Sequence, residues 1–360
     1  LGPTFDAEEL VYVELGIEDT TAVVRHTSRI EGPLLRLVSG GVSYSGDSRF
    51  AQRYMRLLGH LPALAAEGRE RALVVCVGTG TTLDALRLHD FRAVDAVDLS
   101  PSVARTLEHF RHVHHGVTED GRVHFVTEDG ARHLRSTRRR YDVITLEPPP
   151  PRAPGASSLY SRELYEAARA RLSPGGALAQ WLPLHGLGDR EARAIVRTLS
   201  AIFPDVSLHL VERNEAVLVA RLGGGGAPTR GLSGAVEADL IGIGLGGVDP
   251  WADTLLIDGD ALGALVREGP VIRDAWPYPE LVPLADPGAG LDVFLEAARA
   301  EARRSGDPAS SADILGELAP AFVPLSEGRG RRGDREALTS GMGRLFSVRS
   351  DDSYWSVLRP

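Results

Sequence analysis

The chain has 360 residues, of which 43% are hydrophobic and 25% charged, and it carries a net charge of −9. These values are ordinary for a globular protein with a sizeable core. The acidic balance excludes the basic surface that nucleic-acid-binding proteins need, so no nucleic acid is expected as a partner. Cys76 is the only cysteine, so no internal disulfide can form. No stretch approaches the roughly 18 apolar residues of a membrane span. We therefore expect a cytoplasmic protein, with the alternative that it is the soluble part of a membrane-attached one.

The first predicted elements are short strands. Residues 8–46 alternate apolar and polar side chains and are interrupted at Gly16 and Gly32, which predicts a small antiparallel sheet. Asp47 is expected to cap a helix that follows the sheet and ends near Pro62. Residues 1–62 are therefore interpreted as a small β-sheet plus a helix.

Residues 63–222 alternate between strand and helix patterns. The run Leu73–Val77 is continuously apolar, as in a strand buried on both faces of a parallel sheet. Further strands are predicted at 93–97, 123–126, 143–146, 176–182 and 216–220. Helices are predicted at 83–88, 103–110, 162–172 and 191–202. This alternation predicts an α/β fold with a doubly wound, mostly parallel sheet, and we interpret the segment as a Rossmann-like nucleoside-binding domain.

The last two segments carry fewer signals. Four glycines from Gly223 to Gly226 mark a break. Residues 223–287 are interpreted as a linker and a C-terminal segment with a helix at 261–267. Residues 288–360 are interpreted as a helical tail, with an amphipathic helix at 291–304 and no assigned role.

A glycine turn and an acid indicate a nucleoside site. Gly78 and Gly80 follow the first buried strand, where backbone amides can approach a ligand closely. Asp98 ends the next strand, twenty residues after Gly78, and its carboxylate can accept hydrogen bonds from both hydroxyls of a ribose. A dinucleotide site would carry a third glycine where this chain has Leu83. The pattern therefore favours a nucleoside of the S-adenosylmethionine type over NAD.

Two more acids follow later strands. Asp129, with Gly130 after it, comes after the third strand, at the position that reads the adenine amino group in nucleoside–methionine sites; the alternative is a simple Asp-Gly turn before a helix. Glu147 ends the fourth strand and is followed by four prolines, which stiffen the loop and hold the carboxylate at the mouth of the site. A carboxylate there could take the proton of an attacking amine, or could only cap the loop.

Several other side chains have both a structural and a functional interpretation. The cluster of His112, His114 and His115 lacks the ligand spacing of a metal site, so no metal is expected. Cys76 is interpreted as packing within a strand, and Trp181 as core filling or as a border of an acceptor pocket. His60 and His185 either face the site or are structural.

Residues 10–222 resemble the spermidine/spermine synthase family, in particular its bacterial members whose synthase-like domain follows a membrane region. The resemblance is carried by matching stretches in the family's order: 45–47 with 56–62, 77–82, 97–99, 128–130, 141–144, 159–165, 172–176 and 180–184. It implies a Rossmann-like S-adenosylmethionine-dependent methyltransferase fold and a decarboxylated S-adenosylmethionine co-substrate. That co-substrate donates an aminopropyl group to an amine such as putrescine. Family members commonly dimerise, so a homodimer is an open expectation.

The resemblance also implies roles for particular residues. Asp98 binds the ribose, Asp129 the adenine, and Glu147 takes the place of the catalytic aspartate. The predicted cofactor-binding residues are Gly78, Thr79, Gly80, Asp98, Leu99, Asp129 and Gly130. The predicted acceptor-side residues are Tyr44, Gln52, Pro150 and Trp181.

Three positions depart from the family pattern. Thr79 replaces an aspartate that holds the donor's amino group, Pro150 replaces a second acceptor-site aspartate, and Tyr44 replaces a glutamine. Three hypotheses therefore remain open: an aminopropyltransferase with a changed acceptor, a methyltransferase that uses ordinary S-adenosylmethionine, and a non-catalytic nucleoside-binding module.

Overall fold

A computed structural model describes residues 8–17, 19–28, 30–212, 215–223, 228, 231–281 and 287–305. All of them belong to one compact unit, Leu1–Ala312. Within these residues, no helix combines the length and the apolar composition needed to cross a membrane.

Four strands near the amino terminus form a small sheet in the order β1-β2-β3-β4, with every neighbouring pair antiparallel. They are β1 (Glu9–Leu15), β2 (Thr20–Ser28), β3 (Gly32–Ser39) and β4 (Val42–Gly46). One side chain each from β2 and β3, Val23 and Leu37, packs with Val103, Phe110 and Val113 of the main domain. The predicted small antiparallel sheet is confirmed, and its packing attaches it to the rest of the chain.

The helix α1 (Arg49–Ala65) follows the small sheet. Its cap is Ser48, whose Oγ accepts a hydrogen bond from the backbone N–H of Ala51 at 3.2 Å. The prediction that Asp47 is the cap is wrong by one residue, because the Asp47 carboxylate instead accepts the backbone N–H of Leu35 at 2.8 Å. The helix also continues through Pro62, which in the last turn removes only one helical hydrogen bond.

The main sheet has eight strands in the order β12-β10-β11-β9-β8-β5-β6-β7. These strands are β5 (Arg71–Val75), β6 (Ala93–Asp98), β7 (Val123–Thr127), β8 (Tyr141–Leu146), β9 (Leu172–Leu182), β10 (Asp205–Glu212), β11 (Glu215–Arg221) and β12 (Leu255–Asp258). The neighbouring strands β9, β8, β5, β6 and β7 run parallel to one another. At the other edge of the sheet, β11 is antiparallel to β9, and β10 is antiparallel to both β11 and β12. The doubly wound, mostly parallel sheet is confirmed, but β10 and β12 were not predicted.

Helices connect and cover these strands. They are α2 (Thr81–Arg87), α3 (Pro101–Thr106), α4 (Arg111–His114), α5 (Gly130–Ser136), α6 (Arg162–Arg171), α7 (Asp189–Ser200), α8 (Gly234–Gly242), α9 (Gly259–Leu265), α10 (Tyr278–Leu281) and α11 (Pro287–Ser305). The helix predicted at 291–304 lies within α11.

The core lies on both faces of the main sheet. Leu73 and Val75 of β5 join one buried cluster, and the alternate residues Ala72 and Val74 join the other. This explains why the strand is continuously apolar from Ala72 to Val75: over these residues neither face meets water.

Candidate functional site

The strand order brings the predicted site residues to one edge of the sheet. The strand β5 lies between β6 and β8, so the chain connections diverge at this point and leave a crevice beyond the strand ends. Gly78, Asp98, Asp129 and Glu147 all follow or end strands β5 to β8, and their strands are parallel. The four residues therefore share the edge at which α/β proteins bind ligands.

The glycine turn is tight and has the left-handed backbone that glycine favours. The backbone N–H of Gly80 donates to the carbonyl of Val77 at 3.0 Å, and φ is +54° at Gly78 and +80° at Gly80. A Cβ on Gly78 would lie 3.1 Å from Oγ of Ser45, which reaches the turn from β4. The small sheet thus contributes a side chain to the site.

Asp98 is held in one orientation by backbone donors. Its Oδ2 accepts the N–H of Val77 at 2.8 Å, and its Oδ1 accepts the N–H of Ser100 at 3.0 Å. Burial nevertheless raises the pKa of the carboxyl to about 6, because desolvation disfavours the charged form more than these hydrogen bonds favour it. Each oxygen retains a lone pair, so the carboxylate can still accept a second hydrogen bond. Leu99, the next residue, has a largely exposed side chain.

Asp129 caps helix α5 through Oδ1, which accepts the N–H of Arg132 at 2.6 Å. The next residue, Gly130, has no room for a side chain, because a Cβ there would lie 2.3 Å from Cγ1 of Val75. The capping role of Asp129 is observed, whereas its contact with adenine stays a prediction.

Thr79 sits among neutral polar groups. Its Oγ1 lies 3.2 Å from Oγ of Ser45, 3.0 Å from Oγ1 of Thr81 and 3.5 Å from Sδ of Met55. The side chain is fully buried. No carboxylate is present in this group of contacts, so this part of the crevice is uncharged.

Glu147 lies against the start of α2, directly beside the glycine turn. Its Oε2 accepts the hydroxyl of Thr82 at 2.8 Å and its Oε1 accepts the hydroxyl of Tyr54 at 3.2 Å. Burial raises the pKa of this carboxyl to about 8; the negative charge of Glu215 acts in the same direction, while the two hydroxyl hydrogen bonds oppose the rise. A carboxyl with this pKa is a stronger base than an ordinary glutamate.

An aromatic pair joins Glu147 to a second carboxylate. The rings of Tyr54 and Trp181 are stacked, with centroids 5.4 Å apart and planes 13° apart. The indole N–H of Trp181 donates to Oε2 of Glu215 at 2.8 Å, and Nδ1 of His185 lies 2.8 Å from Oε1. Sequence reasoning placed Trp181 here but missed Tyr54 and Glu215.

The remaining acceptor-side predictions have different outcomes. The amide nitrogen of Gln52 donates to the carbonyl of Asp47 at 2.7 Å, so this side chain holds the turn before α1. Pro150 is buried, and its carbonyl accepts the N–H of Ala153 at 2.8 Å. Tyr44 lies in β4, and the role of its side chain stays a prediction.

The histidines are dispersed among separate partners. His112 contacts Asp47, His114 contacts the carbonyl of Leu107 and His115 contacts Asp84. His60 is bound between His89 and Asp239 in a buried network, with ring-nitrogen contacts of 2.8 Å on both sides. In the part of the chain that the structure describes, no three His, Cys, Asp or Glu side chains are placed to hold a metal ion.

The interpretation of Cys76 as a strand residue is wrong. The strand β5 ends at Val75, and Cys76 has a left-handed backbone with φ of +66°. It is therefore part of the turn that leads to Gly78, at the edge of the crevice.

The fold and the site define a class: an α/β protein with the methyltransferase-like order of strands and an acid-lined crevice at its switch point. Two solved structures share this fold. A spermidine synthase in complex with the transition state analogue AdoDATO has a TM-score of 0.51 at 18% identity, over 59% of this chain and 74% of that chain. A probable spermidine synthase from Corynebacterium glutamicum has a TM-score of 0.52 at 15% identity, over 73% and 96%.

Residues 51–212 match the family model described as the spermine/spermidine synthase domain. Polyamine aminopropyltransferase 1 of Streptomyces coelicolor is 31% identical over 47% of this chain and 32% of its own length. Polyamine aminopropyltransferase 2 of Pseudomonas aeruginosa is 33% identical over 40% of this chain and 43% of its own length. The chain thus spans less than half the length of these two relatives. Over residues 51–212 the chain is therefore similar to the spermine/spermidine synthase family.

Proposed function

We propose that the chain is a transferase that binds an S-adenosylmethionine-type nucleoside and transfers an aminopropyl or related group to a small amine. The observation that carries this proposal is the position of Glu147, a partly buried carboxylate with a raised pKa beside the glycine turn. The sequence relatives named polyamine aminopropyltransferases support the same reaction class.

Two features of the crevice support nucleoside binding. The positive φ values at Gly78 and Gly80 let the backbone approach the ligand without a Cβ, and Asp98 is oriented to accept from ribose hydroxyls. Decarboxylated S-adenosylmethionine as the donor, and the contacts of Leu99, Asp129 and Gly130 with it, belong to this proposal.

The sulfonium of the donor makes the carbon beside it electrophilic, and departure of sulfur leaves a neutral thioether. The amine nitrogen forms the new C–N bond with its lone pair as the C–S bond breaks, and the electron pair of that bond goes to sulfur. The acceptor must give up one proton, and Glu147 receives it. Because the pKa of Glu147 is raised towards that of an amine, proton transfer to it is less uphill than to an ordinary carboxylate. Tyr54 and Thr82 hold its two oxygens during this step.

A second candidate reaction is methyl transfer from S-adenosylmethionine itself, and the environment of Thr79 favours it. The hydroxyl group there offers no carboxylate to an aminopropyl ammonium and does not repel the carboxylate of an intact methionine tail.

The test is calorimetric titration with S-adenosylmethionine, its decarboxylated form and methylthioadenosine, followed by mass-spectrometric turnover with putrescine. Tighter binding of the decarboxylated form together with an aminopropylated product supports the first reaction, and methylated product supports the second. Binding of a nucleoside without turnover of any amine would leave a non-catalytic module. Absence of binding by all three at millimolar concentration would refute the nucleoside site.

The variant Glu147→Gln tests the role of the base. We expect it to bind the nucleoside as the unchanged protein does and to lose turnover. Intact turnover would rule out Glu147 as the proton acceptor. Light scattering of the same samples tests the expected homodimer.

A further inference from the structure

A groove lies at the edge of the main sheet opposite the crevice. Arg140 precedes β8, Leu172 begins β9 and Leu222 follows β11, and the antiparallel pairing of β9 with β11 brings all three to the same edge. Helix α6 and the residues after α7 complete the groove, whose volume is about 620 Å³. A pocket of this size holds a small organic ligand. Asp98 and Glu147 end or follow strands at the other edge, so the groove is a separate place in the fold.

The floor of the groove is apolar. Its apolar lining consists of Ala170, Leu172, Pro174, Ala201, Ile202 and Leu222. Leu172 and Ile202 belong to the hydrophobic core below, so the groove opens onto the core of the domain. An alkyl or aromatic group in the groove would cover this surface and remove it from water, which is favourable.

The charged lining of the groove is positive. Three guanidiniums, those of Arg140, Arg162 and Arg169, face one carboxylate, that of Glu166. Glu166 is already paired, because its Oε1 lies 2.7 Å from Nε of Arg162. Within the residues that the structure describes, the side chain of Arg169 has no hydrogen-bond or ion-pair partner, and that of Arg140 donates only to the carbonyl of Leu172, at 2.9 Å. Two guanidinium charges in the groove are therefore not compensated by a described carboxylate.

The surroundings add to this positive charge. Arg171, at the end of α6, donates to the carbonyls of Leu134 and Arg135, which carry no charge. Arg138, two residues before Arg140, also lacks a carboxylate partner among the described residues. This concentration occurs in a chain whose net charge is −9. A local positive patch on an acidic protein attracts anions to that patch.

We propose that this groove binds an organic anion, that is, an apolar group that carries a phosphate or a carboxylate. The apolar group lies on the floor, and the anion contacts the guanidiniums of Arg140 and Arg169. Each guanidinium presents parallel N–H donors that match the oxygens of either anion. This site goes beyond the proposed transferase, because it uses none of the residues of the crevice.

The experiment compares four probes: n-hexyl phosphate, hexanoate, 1-hexanol and inorganic phosphate. Binding to the full chain is measured by calorimetry at neutral pH and low ionic strength, where exposed charges are least screened. We expect hexyl phosphate to bind at least about tenfold more tightly than hexanol or inorganic phosphate, because it alone of these three makes both kinds of contact. The order of hexyl phosphate and hexanoate then identifies the preferred anionic group.

Variants of the groove test the location of the site. Arg140→Gln and Arg169→Gln should each weaken hexyl phosphate about tenfold, through the loss of a charge-assisted hydrogen bond, and should leave hexanol unchanged. Ala201→Glu should weaken hexyl phosphate as well, because it adds a negative charge to the lining. Arg190→Gln is the matched control: it removes the same charge from an exposed position in the first turn of α7, whose other end borders the groove. It should leave all four probes unaffected.

The proposal has clear contrary results. Hexanol or inorganic phosphate bound as tightly as hexyl phosphate would overturn it, and so would no binding of hexyl phosphate or hexanoate at millimolar concentration. Folded Arg140→Gln and Arg169→Gln proteins, with melting temperatures retained, that both bind hexyl phosphate like the unchanged protein would also overturn it. Competition between hexyl phosphate and methylthioadenosine would place the probe in the crevice and not in the groove.

The outcomes separate this inference from the proposed function. The two arginine variants should bind methylthioadenosine as the unchanged protein does, because the groove and the crevice lie at opposite edges of the sheet. Failure of every nucleoside to bind would refute the transferase and leave the groove standing. Nucleoside binding and amine turnover, without binding of hexyl phosphate or hexanoate, would support the transferase and remove the groove.

Discussion

The burial of Glu147 predicts a specific pH dependence of the stability of the protein. The ordinary pKa of a glutamate is 4.5, and in the folded chain it is raised to about 8 by burial. Between these values the folded protein holds a proton that the unfolded chain has released. Stability therefore decreases as pH rises from about 4.5 to 8 and is constant with respect to this group above that range.

The size of the effect follows from the same two values. They differ by about 3.5 pH units, and each unit is worth about 1.4 kcal/mol, so Glu147 removes up to roughly 5 kcal/mol of folding free energy at alkaline pH. Glu147→Gln has no titrating group at this position. The carboxamide oxygen can still accept from Thr82 or Tyr54, whose hydroxyls contact the carboxyl in the unchanged protein.

The measurement is urea unfolding of both proteins at pH 5, 7 and 9, followed by tryptophan fluorescence. The variant should gain stability relative to the unchanged protein as pH rises, by several kcal/mol between pH 5 and 9. Titrating groups that do not interact with Glu147, such as Asp98, are present in both proteins and cancel in the difference. A difference that stays constant within about 0.5 kcal/mol over this range would refute the assignment of a raised pKa to Glu147.

Three further variants test the rest of the site. If Asp98 binds the ribose as proposed, Asp98→Asn should weaken nucleoside binding at least about tenfold and reduce its pH dependence, because a carboxyl group with a pKa of about 6 is a stronger hydrogen-bond acceptor when charged; titration calorimetry at pH 5 to 8 tests this, and unchanged affinity would exclude Asp98 from the site. Arg53→Met should cost about 3–5 kcal/mol because it removes the guanidinium that lies 2.6 Å from the buried carboxylate of Glu212, and adding Glu212→Leu should recover most of it; a double variant no more stable to urea than the single one would contradict this. Gly130→Ala should cost about 1–3 kcal/mol through its clash with Val75, measured as a lower melting temperature that Val75→Ala partly restores; an unchanged melting temperature would mean that the helix start shifts freely.

Local patterns were enough to place the acids at the strand ends. A parallel sheet puts the residues that follow its strands at one edge, so Asp98, Asp129 and Glu147 could be grouped from strand order alone. Tyr54 and Glu215 could not be grouped with them, because they come from α1 and from a distant hairpin. Their meeting depends on how α1 packs across the antiparallel part of the sheet.

The boundary errors have physical causes of the same kind. Asp47 and Ser48 are both good helix caps, and the choice between them is made by the backbone N–H of Leu35, which takes the Asp47 carboxylate. The strand β10 (Asp205–Glu212) does alternate apolar and polar residues, whereas β12 has only four residues and depends on its pairing with β10.

The position of Cys76 gives the chain an internal probe of the crevice. It is the only thiol in the sequence and lies at the turn between β5 and Gly78. Burial raises its pKa well above the usual range, and the charges of Asp98, Glu147 and Asp129 act in the same direction, so we expect slow alkylation of the ligand-free protein. A nucleoside bound over this turn would slow it further. The rate of thiol labelling therefore measures occupancy without any engineered dye, in the unchanged protein and in every variant described above.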